Sequence, residues 1–167
     1  MLILVRHSGT TDVAGFGTVV LFVAATGLGS FLATLLTPPV VGRWGRFATA
    51  SWALGAAAVV QLAGAGLHLP VMTVCGFLLG ALGQVVKLCA DTAMQIDVDD
   101  ALRGHVFTVQ DSLFWVSFIG AISAAATVIP DDGDSPGLAI AGAVVYVLGL
   151  IGHLTISRRA RPAAPPV

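Results

Sequence analysis

The chain has 167 residues, of which 56% are hydrophobic and only 10% charged, and its mean hydropathy is +0.93. Soluble domains average roughly 25% charged and about 45–50% apolar residues, so both deviations indicate a protein that is solvated largely by lipid. The net charge of −1 provides no overall field that would recruit nucleic acid.

Five nearly uncharged stretches follow one another along the chain, each close to the roughly 20 apolar residues that cross a bilayer core of about 30 Å. They occupy residues 17–37, 47–66, 71–92, 107–129 and 137–156. Pro38 and Pro39 are expected to end the first helix, because neither can donate a backbone hydrogen bond. The sequence therefore predicts an all-α, polytopic membrane protein with five transmembrane helices over residues 1–160. The tail at 158–167 is basic and then rich in Pro and Ala, and is expected to be disordered.

Small residues recur at helical spacing in the first and third of these stretches. They are Gly27, Gly29, Ser30 and Ala33 in the first, and a GxxxG pair, Gly76 and Gly80, in the third. Such residues let two helix backbones approach closely in a membrane, so these two stretches are expected to pack tightly against other helices.

The long apolar stretches contain no residue pattern that points to an enzyme, a metal site or a cofactor. The sequence has no HExxH motif, no paired Ser/Asp or His/Asp near the middle of a stretch, and no ligand cluster. Cys75 and Cys89 lie about 21 Å apart along one helix, at about 1.5 Å per residue. Because a disulfide needs Cα atoms within about 7 Å, we expect both thiols to be free and buried.

The third and fourth stretches contain the candidate functional side chains. Gln84, Lys87 and Asp91 share one helical face in the last turns of the third stretch, and Asp111 lies one turn inside the fourth. Lys87 is about 24 Å along the helix from Val71, so it is expected near the far interface rather than at the midplane. Two interpretations remain open. The residues either snorkel, cap and pair at the headgroups, or they line or gate a translocation path.

The remaining polar and aromatic residues are interpreted as packing or interfacial groups. Phe114, Trp115 and Phe118 are expected to face lipid or neighbouring helices, with Trp at the membrane interface. Gln61 either forms a helix–helix hydrogen bond or lies at the interface. His153 is expected to be interfacial or packed.

The positive charges are distributed asymmetrically between the two sides that a five-span topology creates. Only Arg6 lies on one side. The other side has Arg43, Arg46, Lys87, Arg103, Arg158, Arg159 and Arg161. Because cytoplasmic flanks have the excess of Lys and Arg, we expect the 38–46 loop, the 95–106 loop and the tail to be cytoplasmic. Residues 5–16 and the acidic turn at 130–136 are then external, and the protein is a multi-pass protein of the cell membrane.

Two short segments resemble family signatures. Gly42-Arg43-Trp44-Gly45-Arg46 is similar to Asp-Arg-x-Gly-Arg, with Gly42 at the Asp position. The run Arg103-Gly104-His105-Val106-Phe107 follows a cluster of acids and is similar to Arg-Gly-Arg-Val-Phe, with His105 at the second Arg. Together with the order of the spans, these segments resemble the C-terminal half of a major facilitator superfamily (MFS) permease, from the end of helix seven through helix twelve.

The resemblance implies a secondary active transporter for a small molecule whose identity the sequence does not give. Residues 17–37, 71–92 and 107–129 then correspond to helices eight, ten and eleven, which tend to line the cavity in this family. Such permeases have two six-helix halves that rock against each other. We therefore expect the chain to be truncated or split and not competent alone, with the lipid bilayer and a missing N-terminal half as partners. The alternative is a non-transporting membrane scaffold or assembly subunit, which the Gly-rich spans fit equally well.

Overall fold

The computed structural model describes residues 12–66, 69–128 and 136–159, and these residues form helices without any strand. The elements in chain order are α1 Asp12–Trp44, α2 Arg46–Ala63, a 3-10 turn Gly64–Gly66, α3 Leu69–Asp97, α4 Asp100–Val128 and α5 Pro136–Arg159. The predicted all-α fold is confirmed. The N-terminal segment 1–11, the acidic turn up to residue 135 and the tail from residue 160 lie outside the described residues.

Four of the helices are long and apolar enough to cross a membrane. Their spans are Val19–Trp44, Pro70–Asp97, Asp100–Val128 and Gly137–Ser157. The helix outside this group, α2, has 18 residues and rises about 27 Å at about 1.5 Å per residue. The three residues of the 3-10 turn add about 6 Å at about 2.0 Å each, so α2 and the turn together extend about as far as a bilayer core is thick.

The expectation that Pro38 and Pro39 end the first helix is wrong, because α1 continues through both prolines to Trp44. Each proline removes one N–H donor, and the helical hydrogen bonds resume afterwards, with Gly45 N donating to Val41 O at 2.8 Å. Gly45, with a φ of 80°, is the residue that ends α1. This left-handed conformation favours glycine and makes the connection to α2 a single residue.

The predicted loop at 95–106 is also much shorter than expected. Helix α3 runs to Asp97 and α4 begins at Asp100, so only Val98 and Asp99 connect them. Asp99 caps α4, since its Oδ1 accepts a hydrogen bond from Ala101 N at 3.2 Å. Of the acids that were expected in a solvated loop, Asp99 and Asp100 are therefore the N-cap and first turn of α4, where negative charge is favourable, while Asp97 ends α3.

Helices α1 and α3 pack closely through their small residues, as predicted. A Cβ atom added to Gly80 would lie 2.3 Å from Thr26 O, and one added to Gly29 would lie 2.1 Å from Phe77 O. Ser30 Oγ also donates a hydrogen bond to Gly80 O across the interface, at 3.0 Å. Gly27 does not take part, because a Cβ there would meet open space.

Helix α2 lies between α3 and α5 and presents small side chains to both. Its buried residues are Thr49, Ala50, Ala53, Ala57 and Ala58. The amide of Gln61 lies against Gly142 of α5, so Gln61 is a helix–helix contact. His153 of α5 is packed as predicted, with its Nε2 atom 3.2 Å from Phe47 O on α2. Cys75 and Cys89 are free, buried thiols, as predicted.

Helix α4 differs from the other four. It contacts α3 sparsely, and none of its described residues is buried. Consecutive residues 111–124 are all exposed, including the aromatic group Phe114, Trp115 and Phe118, whose rings contact one another. The fold thus consists of a packed unit, α1, α2, α3 and α5, with α4 beside it.

Candidate functional site between α3 and α4

The contact between α3 and α4 is formed around the ammonium group of Lys87. Lys87 Nζ lies 3.2 Å from Asp91 Oδ2, one turn further along α3, and 3.5 Å from Asp111 Oδ1 on α4. Two carboxylates therefore share one cation. Lys87 also lies over the ring of Phe114 of α4, 5.8 Å from its centroid, which adds a cation–π contact between the helices.

Gln110 provides a second polar contact between the two helices. Its Nε2 atom donates to Asp91 Oδ1 at 2.9 Å, so both oxygens of the Asp91 carboxylate are engaged. The Oε1 atom of the same amide is buried and lacks a hydrogen-bond partner among the described residues. We refer to Lys87, Asp91, Gln110 and Asp111 as the Lys87 cluster.

The Lys87 cluster lies near the middle of two long helices. Helix α3 extends beyond the predicted stretch and continues ten residues past Lys87 to Asp97, whereas the expected place of Lys87 near the far membrane interface stays a prediction. The middle residue of α3 is Gly83, and Lys87 lies about 6 Å from it along the helix. On α4 the middle residue is Phe114, and Asp111 lies about 4.5 Å from it. The charged groups therefore sit well inside the lengths of the two helices.

An open cleft of about 760 Å³ separates α3 and α4 beside the cluster. It is lined by Lys87 and Asp91 from α3 and by Phe107, Thr108, Asp111, Ser112, Trp115 and Val116 from α4. The α4 wall combines aromatic rings, hydroxyl groups and a carboxylate. The side chain of Asp111 is 60% exposed and that of Asp91 is 22% exposed, so Asp111 is the carboxylate that is more open to a ligand.

A second group of charges connects the junction between α1 and α2 with the junction between α3 and α4. Both junctions lie at the end of these helices that is opposite the 3-10 turn. Arg46 binds the Asp97 carboxylate with its Nη2 atom 2.8 and 3.0 Å from the two oxygens. Arg103 pairs with Asp100 within the first turns of α4, and its Nη2 atom lies 3.5 Å from Val98 O. We call this region, Trp44–Arg46 together with Asp97–Arg103, the polar end.

The predicted site residues therefore divide into three groups. Lys87, Asp91 and Asp111 meet in the cluster. Arg46 and Arg103 lie at the polar end. Gln84 precedes Lys87 on the same face, but the cleft lining on α3 begins one turn later.

The other residues of the two motifs have local roles. Arg43 is exposed in the last turn of α1, and Gly45 forms the junction. Gly104 and His105 are exposed on α4, where Gly104 O accepts a hydrogen bond from Thr108 Oγ1 at 2.9 Å.

Sequence reasoning missed three residues of this region. Gln110 precedes Asp111, and its role depends on how α4 faces α3. Phe107 was interpreted as a motif residue and Trp115 as a lipid or packing contact, yet both line the cleft. They lie four residues before and four residues after Asp111, and this spacing predicts that all three share one helical face.

The comparisons with known proteins agree with the fold and the motifs. The chain is 60% identical over 162 residues to an uncharacterised MFS-type transporter of Mycobacterium bovis, and equally to one of Mycobacterium tuberculosis. The aligned segment covers 97% of this chain but 37% of each relative, so the chain spans little more than a third of the relatives that it matches. No family model and no solved structure matches the chain. The resemblance to the C-terminal half of an MFS permease is confirmed, and the apolar helices together with these relatives indicate a multi-pass membrane protein.

Proposed function

We propose that this chain, which belongs to the major facilitator superfamily, forms the C-terminal part of a secondary active transporter for a small molecule and is not an enzyme. The observation that carries the proposal is the Lys87 cluster, which sets charged groups near the middle of two long apolar helices. A charged residue at the centre of a membrane helix costs about 2.5–3.5 kcal/mol on insertion scales, and such residues usually mark a substrate or ion path. The relatives are named as transporters, which is the same class of protein.

The proposed path runs along the cleft between α3 and α4. In the family resemblance these helices correspond to helices ten and eleven, and both contribute polar groups to the cleft. Gln84 lies one turn before Lys87 on α3 and extends the polar face along that helix. Gln84, Lys87, Asp91 and Asp111 are therefore the proposed transport-path or gating residues.

The proposed partner of α4 is the N-terminal half of the same transporter fold. None of the described residues of α4 is buried within this chain, and the cleft beside the Lys87 cluster is open on the α4 side. Contact with a second six-helix half would cover α4 and enclose the cleft. We therefore expect transport to require that half, encoded with this chain or supplied separately.

The proposed orientation has the polar end and the C-terminus in the cytoplasm of a cell-membrane protein. Arg46 and Arg103 lie at the same end of the helices, and Arg43 lies in the last turn of α1, just before the junction that leads to Arg46. This grouping supports the positive-inside assignment. A phosphatase that is active only in the periplasm should be inactive when it is fused after Arg159, and a fluorescent protein that folds only in the cytoplasm should fluoresce there. The reverse result would contradict the orientation.

The transport proposal is tested with inverted and with right-side-out membrane vesicles, which detect export and import respectively and contain the protein expressed from its native coding region. The vesicles are energised in a cell extract, and their contents are quantified by mass spectrometry with and without an ionophore. We expect at least one solute to accumulate beyond the level in vesicles that lack the protein, and the ionophore to abolish this accumulation. Asp111→Asn should reduce it at least tenfold, while Asp100→Asn, a matched change at the polar end of the same helix, should leave it unchanged.

Equal contents in vesicles with and without the protein would contradict the transport proposal and favour the alternative of a membrane scaffold or assembly subunit. Normal accumulation with Asp111→Asn and with Lys87→Gln would retain a transporter but remove the Lys87 cluster from its path.

A further inference from the structure

One face of α4 presents an aromatic ring, a carboxylate and a second aromatic ring in order. Phe107, Asp111 and Trp115 are spaced by four residues, so they follow one another on a single helical face. All three line the cleft. Trp115 is 54% exposed, and the Asp111 side chain is 60% exposed, so the carboxylate is accessible between two rings.

The charges of the cleft do not balance. Its lining has one ammonium, from Lys87, and two carboxylates, from Asp91 and Asp111, which leaves a formal charge of −1. Asp91 is the more fully engaged carboxylate, because it accepts from Lys87 at 3.2 Å and from Gln110 at 2.9 Å. Lys87 lies farther from Asp111, at 3.5 Å. Asp111 is thus the carboxylate that a ligand with one positive charge would neutralise.

We propose that the cleft binds an organic monocation whose apolar body packs against Phe107 and Trp115 and whose charge pairs with Asp111. The proposal rests on the transport function proposed above and names the class of its substrate. A cation over an aromatic ring is attracted by the negative face of the ring, more strongly where water is excluded, and the carboxylate adds direct charge pairing. An anion would meet a net negative lining. A neutral ligand would leave the second carboxylate without a counter-charge in a partly desolvated site.

The proposal is tested by equilibrium dialysis with two ions of the same shape and opposite charge, tetraphenylphosphonium and tetraphenylborate. The protein is purified in detergent from its native coding region, and binding to protein-free micelles is subtracted. We expect saturable binding of tetraphenylphosphonium that is at least tenfold tighter than that of tetraphenylborate. Saturable binding should also change the fluorescence of Trp115, measured as the difference between the native protein and Trp115→Leu.

Substitutions of the two shared charges should act in opposite directions. Asp111→Asn removes the carboxylate and should weaken tetraphenylphosphonium binding at least tenfold. Lys87→Gln removes the competing ammonium and should tighten it severalfold. Trp115→Leu keeps an apolar wall without its π-face and should weaken binding by about threefold or more. Asp100→Asn removes the same charge from the exposed start of α4 and should alter binding less than twofold.

Opposite signs for Lys87→Gln and Asp111→Asn separate a ligand site from a structural ion pair, since a structural pair would be disrupted equally by either change. Equal weakening by both variants would overturn the proposal, as would equal affinity for the two probe ions or the absence of saturable binding. Monodisperse elution and native helical content of each variant are checked first, and Asp111→Glu, which keeps the charge, should retain binding within about fivefold.

Binding and transport are measured separately, so their failures can be distinguished. Binding that depends on Asp111 without accumulation in vesicles would support the cation site and contradict the transport function. Accumulation of a solute without tetraphenylphosphonium binding would support transport and overturn the substrate class.

Discussion

Helix α3 contacts α1 and α4 through two chemically different sets of residues. Toward α1 it presents Gly76 and Gly80, where added Cβ atoms would overlap the ring of Phe22 and the backbone oxygen of Thr26, respectively. Toward α4 it presents Lys87 and contacts made by side-chain tips. The first interface is uncharged and close, and the second is charged and open.

The two interfaces of α3 are expected to respond differently to movement of the neighbouring helix. In lipid, helices gain little from burying apolar surface against each other, so close van der Waals packing of backbones is a main source of association. Such packing is lost over small displacements. Polar contacts between membrane helices average about 0.6 kcal/mol and at most about 1.7 kcal/mol, so α4 is held to α3 by weak contacts. We expect the α1–α3 pair to act as a rigid support and the α3–α4 pair to change spacing.

The largest effect is expected at the closest point of the rigid pair. Gly80→Ala places a Cβ atom 2.3 Å from the backbone oxygen of Thr26, so a helix must shift, at a cost of about 1–3 kcal/mol. Gly83→Ala, one turn away on the same helix, meets open space and should be neutral or stabilising by up to about 1 kcal/mol. Thermal unfolding in detergent measures both. Equal stability of the two variants would contradict the close packing of α1 and α3.

The sequence predicted the rigid pair better than the charged one. The GxxxG pair and the small residues of α1 indicated close packing because that requirement is local to each helix. The polar contacts depend on which residues face each other across α3 and α4, and Gln110 shows no feature of its own that identifies Asp91 as its partner. Arg46 and Asp97 are 51 positions apart, so their pairing follows only from the fold.

The helix ends were predicted least well, for a physical reason. Pro38 and Pro39 each remove a donor without removing helical φ and ψ, so a helix that supplies the remaining hydrogen bonds can pass through them. The acids at 97–100 indicated a solvated loop, but Asp99 caps α4, and a carboxylate at an N-cap also marks the start of a helix. Composition alone does not separate these two uses of aspartate.

A second prediction concerns Gly45, the one-residue junction between α1 and α2. Gly45→Ala meets no neighbouring atom within 4 Å, so its effect isolates the cost of a Cβ at a φ of 80°. With a ψ of 154°, Gly45 lies in a backbone region that is essentially restricted to glycine, so we expect a cost of about 1–3 kcal/mol, measured by thermal unfolding. Gly42→Ala has the same open surroundings within α1 and should be neutral or slightly stabilising. If Gly45→Ala is as stable as Gly42→Ala, the left-handed junction is wrong.

A smaller effect is expected for the ion pair at the polar end, which connects the α1–α2 junction to the α3–α4 junction. Arg46 and Asp97 are partly exposed, at 22% and 54% of their side chains, so a double-mutant cycle with Arg46→Gln and Asp97→Asn should give a coupling of about 0.2–1 kcal/mol. Identical stability of the native protein and Arg46→Gln, at low and at high salt, would leave no energetic role for the pair.

The smallest coupling is expected between Lys87 and Asp111, the pair on which the contrast between the two sides of α3 depends. Their 3.5 Å separation and the 60% exposure of Asp111 predict about 0.2–0.6 kcal/mol in a cycle of Lys87→Gln and Asp111→Asn. Spin labels on Val85 of α3 and Ser117 of α4 report the same contact as a distance. We expect Lys87→Gln to broaden that distance distribution, while labels on α1 and α3 stay unchanged. A coupling above about 2 kcal/mol with an unaltered α3–α4 distance would mean that charge holds α4 as firmly as glycine packing holds α1, and a movable α4 would then be excluded.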